Sequence, residues 1–94
     1  MPSLYTVRLG FKALANDRSG ERLFDVKLQD SVVLKNFDIF KTAGKANKAV
    51  VKEFKGIPVE NALALELVSK SPDPDIKEAP IINFVEVIRE DTGR

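Results

Sequence analysis

Histidine, cysteine and tryptophan are absent from this 94-residue chain, and tyrosine occurs once, as Tyr5. Each absence closes a class of function. Without histidine, the usual proton carrier of acyl transfer is missing, and neither a Ser-His-Asp nor a Cys-His site can be built. Without histidine and cysteine, zinc and the softer metals lack their preferred ligands, whereas oxygen-only calcium or magnesium sites stay open. The lack of cysteine fits a reducing compartment and does not exclude export. Flat aromatic faces commonly grip sugar rings and nucleobases, and few are available here. The six phenylalanines fall mostly in strand-like alternations, where a core role is expected. No stretch approaches the ~18 apolar residues needed to span a bilayer, and the start Met1-Pro2-Ser3-Leu4-Tyr5 shows no signal peptide.

What is present is the composition of a soluble globule: 44% hydrophobic and 31% charged residues, with a net charge of +1. That charge gives no global reason to bind nucleic acid or acidic membranes. Its distribution is uneven, however. Residues 41–56 hold Lys41, Lys45, Lys48, Lys52 and Lys55 against Glu53 alone, while residues 57–94 carry an excess of four acidic groups. The lysine-rich segment contains no Arg and only Phe54 as an aromatic, so specific base reading is not expected.

The dominant hydrophobic period is two, which indicates strands. Tyr5, Val7, Leu9 and Phe11 share one face of a strand, as do Phe24, Val26 and Leu28 in a second. Gln29-Asp30 suits a tight turn leading to a third short strand over 31–35. Residues 41–48 suggest a loop or one helical turn. A strand over 49–55 follows, then a break at 56–61, then alternating Leu63, Leu65 and Leu67, for which strand is preferred over helix. Two prolines mark 71–75 as a loop. The segment 81–88 is apolar on both faces, which predicts a central strand covered on both sides, with Asn83 a buried amide. Six or seven short strands without a long helix predict an all-β antiparallel sandwich or jelly roll, in one domain over 1–94.

The stretches Tyr5-Thr-Val-Arg-Leu-Gly-Phe11, Arg22-Leu-Phe-Asp-Val26, Val33-Leu-Lys-Asn-Phe-Asp-Ile-Phe40, Ala46-Asn-Lys-Ala-Val-Val-Lys-Glu-Phe54 and Pro80-Ile-Ile-Asn-Phe-Val-Glu-Val87 resemble malectin-like domains in order and spacing. The resemblance covers about residues 4–88. It implies a galactose-binding-like jelly roll related to carbohydrate-binding modules, an extracytoplasmic setting, and a place within a larger or oligomeric protein. A complete domain of this kind is considerably longer, so the resemblance also implies that the family's N-terminal strands and their sugar-contacting tyrosines are missing. Where the family's lectin has an aromatic pair, this chain has Ala15 and Asn16. Where the lectin has a sugar-bonding Asp, Glu78 stands nearby. Asn16 and Glu78 are thus the candidate carbohydrate contacts, acting through hydrogen bonds without ring stacking.

Other constellations carry less chemistry. Asp73 and Asp75 supply alternate oxygens, but the run lacks the Gly and the following Glu of a known calcium loop. Asp25, Asp38, Glu53, Glu66 and Glu86 lie on or beside strands, yet nothing in the sequence opposes one to another as glycoside hydrolysis requires. Asp38 is expected to accept backbone N–H bonds at a turn. Gly44-Lys45 lacks the first glycine of a phosphate loop, since residue 39 is Ile. No cofactor and no catalysis are implied. The expected role is a binding module with weak affinity for carbohydrate, or a protein-interaction module. Half a jelly roll is expected to leave strand edges and apolar faces exposed, and so to self-associate or pair with another segment.

Overall fold

The computed structural model describes residues 3–15, 17–71 and 79–90. Strands β1 (Ser3–Lys12), β2 (Leu23–Leu28) and β3 (Ser31–Asp38) precede a single short helix, α1 (Ile39–Ala43). Strands β4 (Ala49–Val59), β5 (Leu65–Ser69) and β6 (Phe84–Arg89) follow it. They form two three-stranded antiparallel sheets, ordered β4-β1-β6 and β3-β2-β5. The chain is an all-β sandwich, as its period-two patterning requires.

The core lies between the two central strands. β1 contributes Val7, Leu9 and Phe11, and β2 contributes Phe24, Val26 and Leu28, all buried. Phe11, Phe24 and Phe37 meet with ring centroids 4.8–6.0 Å apart, the Phe24 and Phe37 rings edge to face. Complete burial of such side chains stabilises by about 1.5–3 kcal/mol each, and tilted ring pairs add about 0.5–1.5 kcal/mol.

Local chemistry sets the turns. Gln29 and Asp30 both take positive φ (52° and 66°), as a two-residue hairpin between β2 and β3 demands. Gln29 also latches the crossover to β5. Its backbone N–H donates to the Ala64 carbonyl, its amide nitrogen donates to the Pro58 carbonyl, and its amide oxygen accepts from the Ala64 N–H. Asp38 caps α1 by accepting from the Lys41 N–H at 3.1 Å, and Gly44, at φ 88°, closes the helix in the left-handed conformation.

The expected break at residues 56–61 is only partial. β4 runs on to Val59 because the extra residue is absorbed in a bulge, where Lys55 and Gly56 lie opposite Thr6 and Gly56 takes φ 71°. Pro58 is accommodated because β4 is an edge strand.

The final strand departs most from expectation. β6 begins at Phe84, and it lies at the edge of its sheet with every residue exposed. The central place belongs to the ten-residue β1, which has neighbours on both sides. The two apolar faces of β6 have separate causes. On the outer face, the Phe84 ring lies over Gly10, where an added Cβ would come within 1.9 Å of it. On the inner face, Val85 and Val87 continue the row of Leu9 and Val7 but remain exposed. Asn83 is likewise exposed and precedes the strand, its backbone N–H donating to the Gly10 carbonyl. Among the described residues, the outer edges of β3, β4, β5 and β6 pair with no strand.

Candidate functional site

Loops at the end of the sandwich where β1 leaves and β2 enters carry the most organised polar group. Arg22, just before β2, is buried, as is Asp17. The guanidinium grips the carboxylate as a fork, with Nε to Oδ2 at 3.1 Å and Nη2 to Oδ1 at 2.9 Å. Asp17 Oδ2 also accepts from the Leu14 N–H at 3.0 Å. The remaining arm of the guanidinium, Nη1, donates to the Ala79 carbonyl. One buried cation therefore ties the loop after β1 to the segment that leads into β6. The Arg22 hydrogen bond is the main reason the Asp17 carboxyl is held below its ordinary value; burial opposes it as the next largest effect, and the Leu14 N–H adds a smaller lowering.

Asp38 extends this order to the neighbouring turn. Its Oδ2 accepts from the Gly20 N–H at 2.6 Å while Oδ1 caps α1. The turn-capping role read from the sequence is therefore the role this carboxylate plays. Two adjoining shallow depressions flank Gly20 and Leu23. One, of about 290 Å³, is lined by Gly20, Glu21, Leu23, Lys70 and Ser71. The other, of about 430 Å³, is lined by Ser19, Gly20, Leu23, Asn36, Asp38 and Lys41. Their walls mix hydroxyl, amide, ammonium and carboxylate groups with apolar surface, and the polar groups can offer hydrogen bonds to a ligand.

Ala15 occupies an exposed turn beside this cluster. Asn16, Glu78, Asp73 and Asp75 lie outside the described residues. Asp17 and Ala79, the chain neighbours of Asn16 and Glu78, are bound to the same guanidinium. The other acids play structural parts. Asp25 accepts from the Asn36 N–H at 2.9 Å and from Lys70 Nζ at 3.3 Å, and the first of these chiefly lowers its pKa. Glu53 and Glu86 flank Arg8 from β4 and β6, at 3.8 and 3.2 Å, on the outer face of the sheet. Glu90 Oε2 accepts from the Gly56 N–H at 2.6 Å and the Thr6 hydroxyl at 2.9 Å, which pins the bulge. The same two bonds, Gly56 first, hold the Glu90 carboxyl below its ordinary range.

The Asp17–Arg22 fork was not foreseen from the sequence. The only available signal was one opposite-charge pair in a polar turn, since burial of a loop arginine has no periodic signature.

A small antiparallel β-sandwich with its polar groups gathered on end loops defines the class: an all-β module of two three-stranded sheets. The Malectin domain family profile matches residues 3–72, and the chain belongs to this family. Two similar proteins come from Arabidopsis thaliana. One is a probable receptor-like protein kinase, 31% identical over 72 residues, which are 77% of this chain and 8% of that protein. The other is a probable leucine-rich-repeat receptor-like serine/threonine-protein kinase, 39% identical over 56 residues, which are 53% of this chain and 6% of that protein. The chain thus spans less than a tenth of the length of these relatives. No solved structure matches it at comparable significance.

Proposed function

We propose that this chain is a non-enzymatic, extracytoplasmic binding module that takes carbohydrate weakly, through hydrogen bonds from loop polar groups that include Asn16 and Glu78. The observation that carries this reading is the Arg22 guanidinium, which fixes Asp17 and Ala79, the chain neighbours of those two residues, with three hydrogen bonds. A buried, bidentate pair holds loop backbone in place before a ligand arrives, which lowers the entropic cost of binding. The depressions beside it offer Ser19, Asn36, Lys41 and Lys70 for sugar hydroxyls. Membership of the malectin family supports carbohydrate as the ligand class. Ala15 in place of an aromatic removes ring stacking, so dissociation constants near the millimolar range are expected, about −4 kcal/mol of binding. Titration of a panel of mono- and oligosaccharides by calorimetry tests the proposal. No heat at millimolar sugar with the full-length parent protein removes it.

A second reading has its own support. Phe84, Val85, Val87 and Ile88 stand exposed on an edge strand whose outer side has no strand partner among the described residues. This favours a module that associates with itself or with another segment, in the setting of a larger protein.

A further inference from the structure

The two depressions beside Gly20 and Leu23 differ in how their polar side chains are used. In the smaller one, the Glu21 carboxylate accepts from the Arg18 N–H at 3.1 Å, and Lys70 Nζ donates to Asp25 at 3.3 Å. Ser71, on the same wall, is engaged as well. In the larger one, Ser19, Asn36 and Lys41 are exposed, and their side chains bond to no other described residue. A hydroxyl, an amide and an ammonium group therefore stand uncommitted around one concavity.

Asn36 reaches that concavity through a defect in the ladder. Phe24 pairs with Phe37 and Val26 with Leu34, so Asp25 opposes both Lys35 and Asn36 in a bulge. Without the bulge, strict alternation would put residue 36 on the same face as Leu34, which packs against the core. Asn36 takes φ 53°, which asparagine tolerates better than most residues, and Asp25 fixes it there by accepting its N–H at 2.9 Å. Asp38 then joins the two walls. This buried carboxylate accepts from the Gly20 N–H at 2.6 Å on one wall and from the Lys41 N–H at 3.1 Å on the other. Each of its oxygens already serves a backbone donor.

We propose that the larger depression alone is the carbohydrate subsite. Ser19, Asn36 and Lys41 make its direct hydrogen bonds to the hydroxyls of a sugar ring, and Asp38 is the positioning residue that sets their spacing. The assignment rests on the carbohydrate reading and deepens it. Lys41 donates only, whereas Ser19 and Asn36 both donate and accept, so the three can serve neighbouring hydroxyls in either sense. The volume of about 430 Å³ lies within the ~300–1,000 Å³ usual for ligand pockets.

The test is a ¹H–¹⁵N titration of the 94-residue chain with glucose, galactose, mannose, cellobiose and lactose, each to ~50 mM so that millimolar affinities saturate. Ser19→Ala, Asn36→Gly and Lys41→Met are each expected to raise the dissociation constant about twofold to tenfold, the range of one lost hydrogen bond. Glycine at 36 keeps the positive φ, so that variant reads the side chain and not the backbone. Asp38→Asn keeps one oxygen for the cap of α1 and loses the Gly20 bond. It is expected to weaken binding by a similar factor, with faster amide exchange at Gly20 and none at Lys41. Glu90→Gln, which removes a hydrogen-bonded carboxylate at the far end of the sandwich, is expected to leave the dissociation constant unchanged. Wild-type spectra that respond to none of these sugars overturn the carbohydrate reading itself. Binding that survives the Ser19, Asn36 and Lys41 substitutions, or that Lys70→Ala weakens in their place, overturns this subsite while leaving that reading standing. Binding that Asp38→Asn weakens no more than Glu90→Gln does overturns the positioning role.

Discussion

Replacing Arg22 with methionine tests whether the buried fork organises the loop end. The side chains of Asp17 and Arg22 are 6% and 4% exposed. Arg22→Met retains most of the apolar stem and deletes both bonds to Asp17 and the one to the Ala79 carbonyl. Asp17 is then a buried carboxylate with the Leu14 N–H as its remaining hydrogen-bond donor. Leaving one member of a buried pair uncompensated costs about 3–5 kcal/mol. A domain of this size is stable by roughly 5–15 kcal/mol, so this is a large share of the total. The double variant Asp17→Leu/Arg22→Met removes the orphaned charge and is expected to recover most of the loss, leaving about 1 kcal/mol for the Ala79 bond. The pH dependence separates the cases further. In the wild type the folded Asp17 pKa lies below the ordinary 3.8, so its contribution is complete above that value and is lost as pH falls through the folded pKa. In Arg22→Met the folded pKa is expected to rise, so the folded state binds the extra proton and stability recovers as pH falls. Urea unfolding followed by far-UV circular dichroism provides the assay, since the chain has no tryptophan. A single-variant loss under 1 kcal/mol, or a double variant no more stable than the single, refutes the reasoning.

Other parts of the fold give their own expectations. Phe11→Ala opens the three-ring cluster and is expected to cost about 3–5 kcal/mol by urea midpoint. Gly10→Ala forces the Phe84 ring aside and is expected to cost about 1–3 kcal/mol, while adding it to Phe84→Ala should cost much less, as a double-mutant cycle would show. Gln29→Ala releases the 58–64 crossover and is expected to cost about 1–2 kcal/mol, with faster amide exchange at Ala64. Glu90 has its folded pKa below the ordinary 4.5, so its support of the bulge is present above that pH and lost in acid; Glu90→Gln should flatten the acid limb of the stability profile.

The sheets were legible in the sequence because each strand facing the core alternates strictly, as in Val7-Leu9-Phe11 and Phe24-Val26-Leu28. The Gln29-Asp30 hairpin and the Asp38 cap were legible because turns and caps are built by adjacent residues. The location of β6 was not. Apolar residues on both faces of a strand predict cover on both faces, whereas here Phe84 lies over Gly10 on the outer face and Val85 and Val87 extend the inner-face row of β1 while remaining exposed. Strand order depends on which non-local partner each strand finds, and periodicity carries no such information. The site was legible by family resemblance only in part. Arg22 stands in a recognised stretch, but its fork to Asp17, five residues away, is buried only in the fold, and its reach to Ala79 spans 57 residues of sequence.

The most direct measurement of the central claim is a ¹H–¹⁵N titration of the chain with oligosaccharides up to ~10 mM. Fast-exchange shifts are expected at Asn16 and Glu78 and at the loop-end residues 15, 17–22, 36–41, 70, 71 and 79, with dissociation constants in the millimolar range and no shifts in Arg22→Met at a pH and temperature where it remains folded. Shifts absent with every sugar, or centred on the outer face around Arg8 and Phe84, would contradict it.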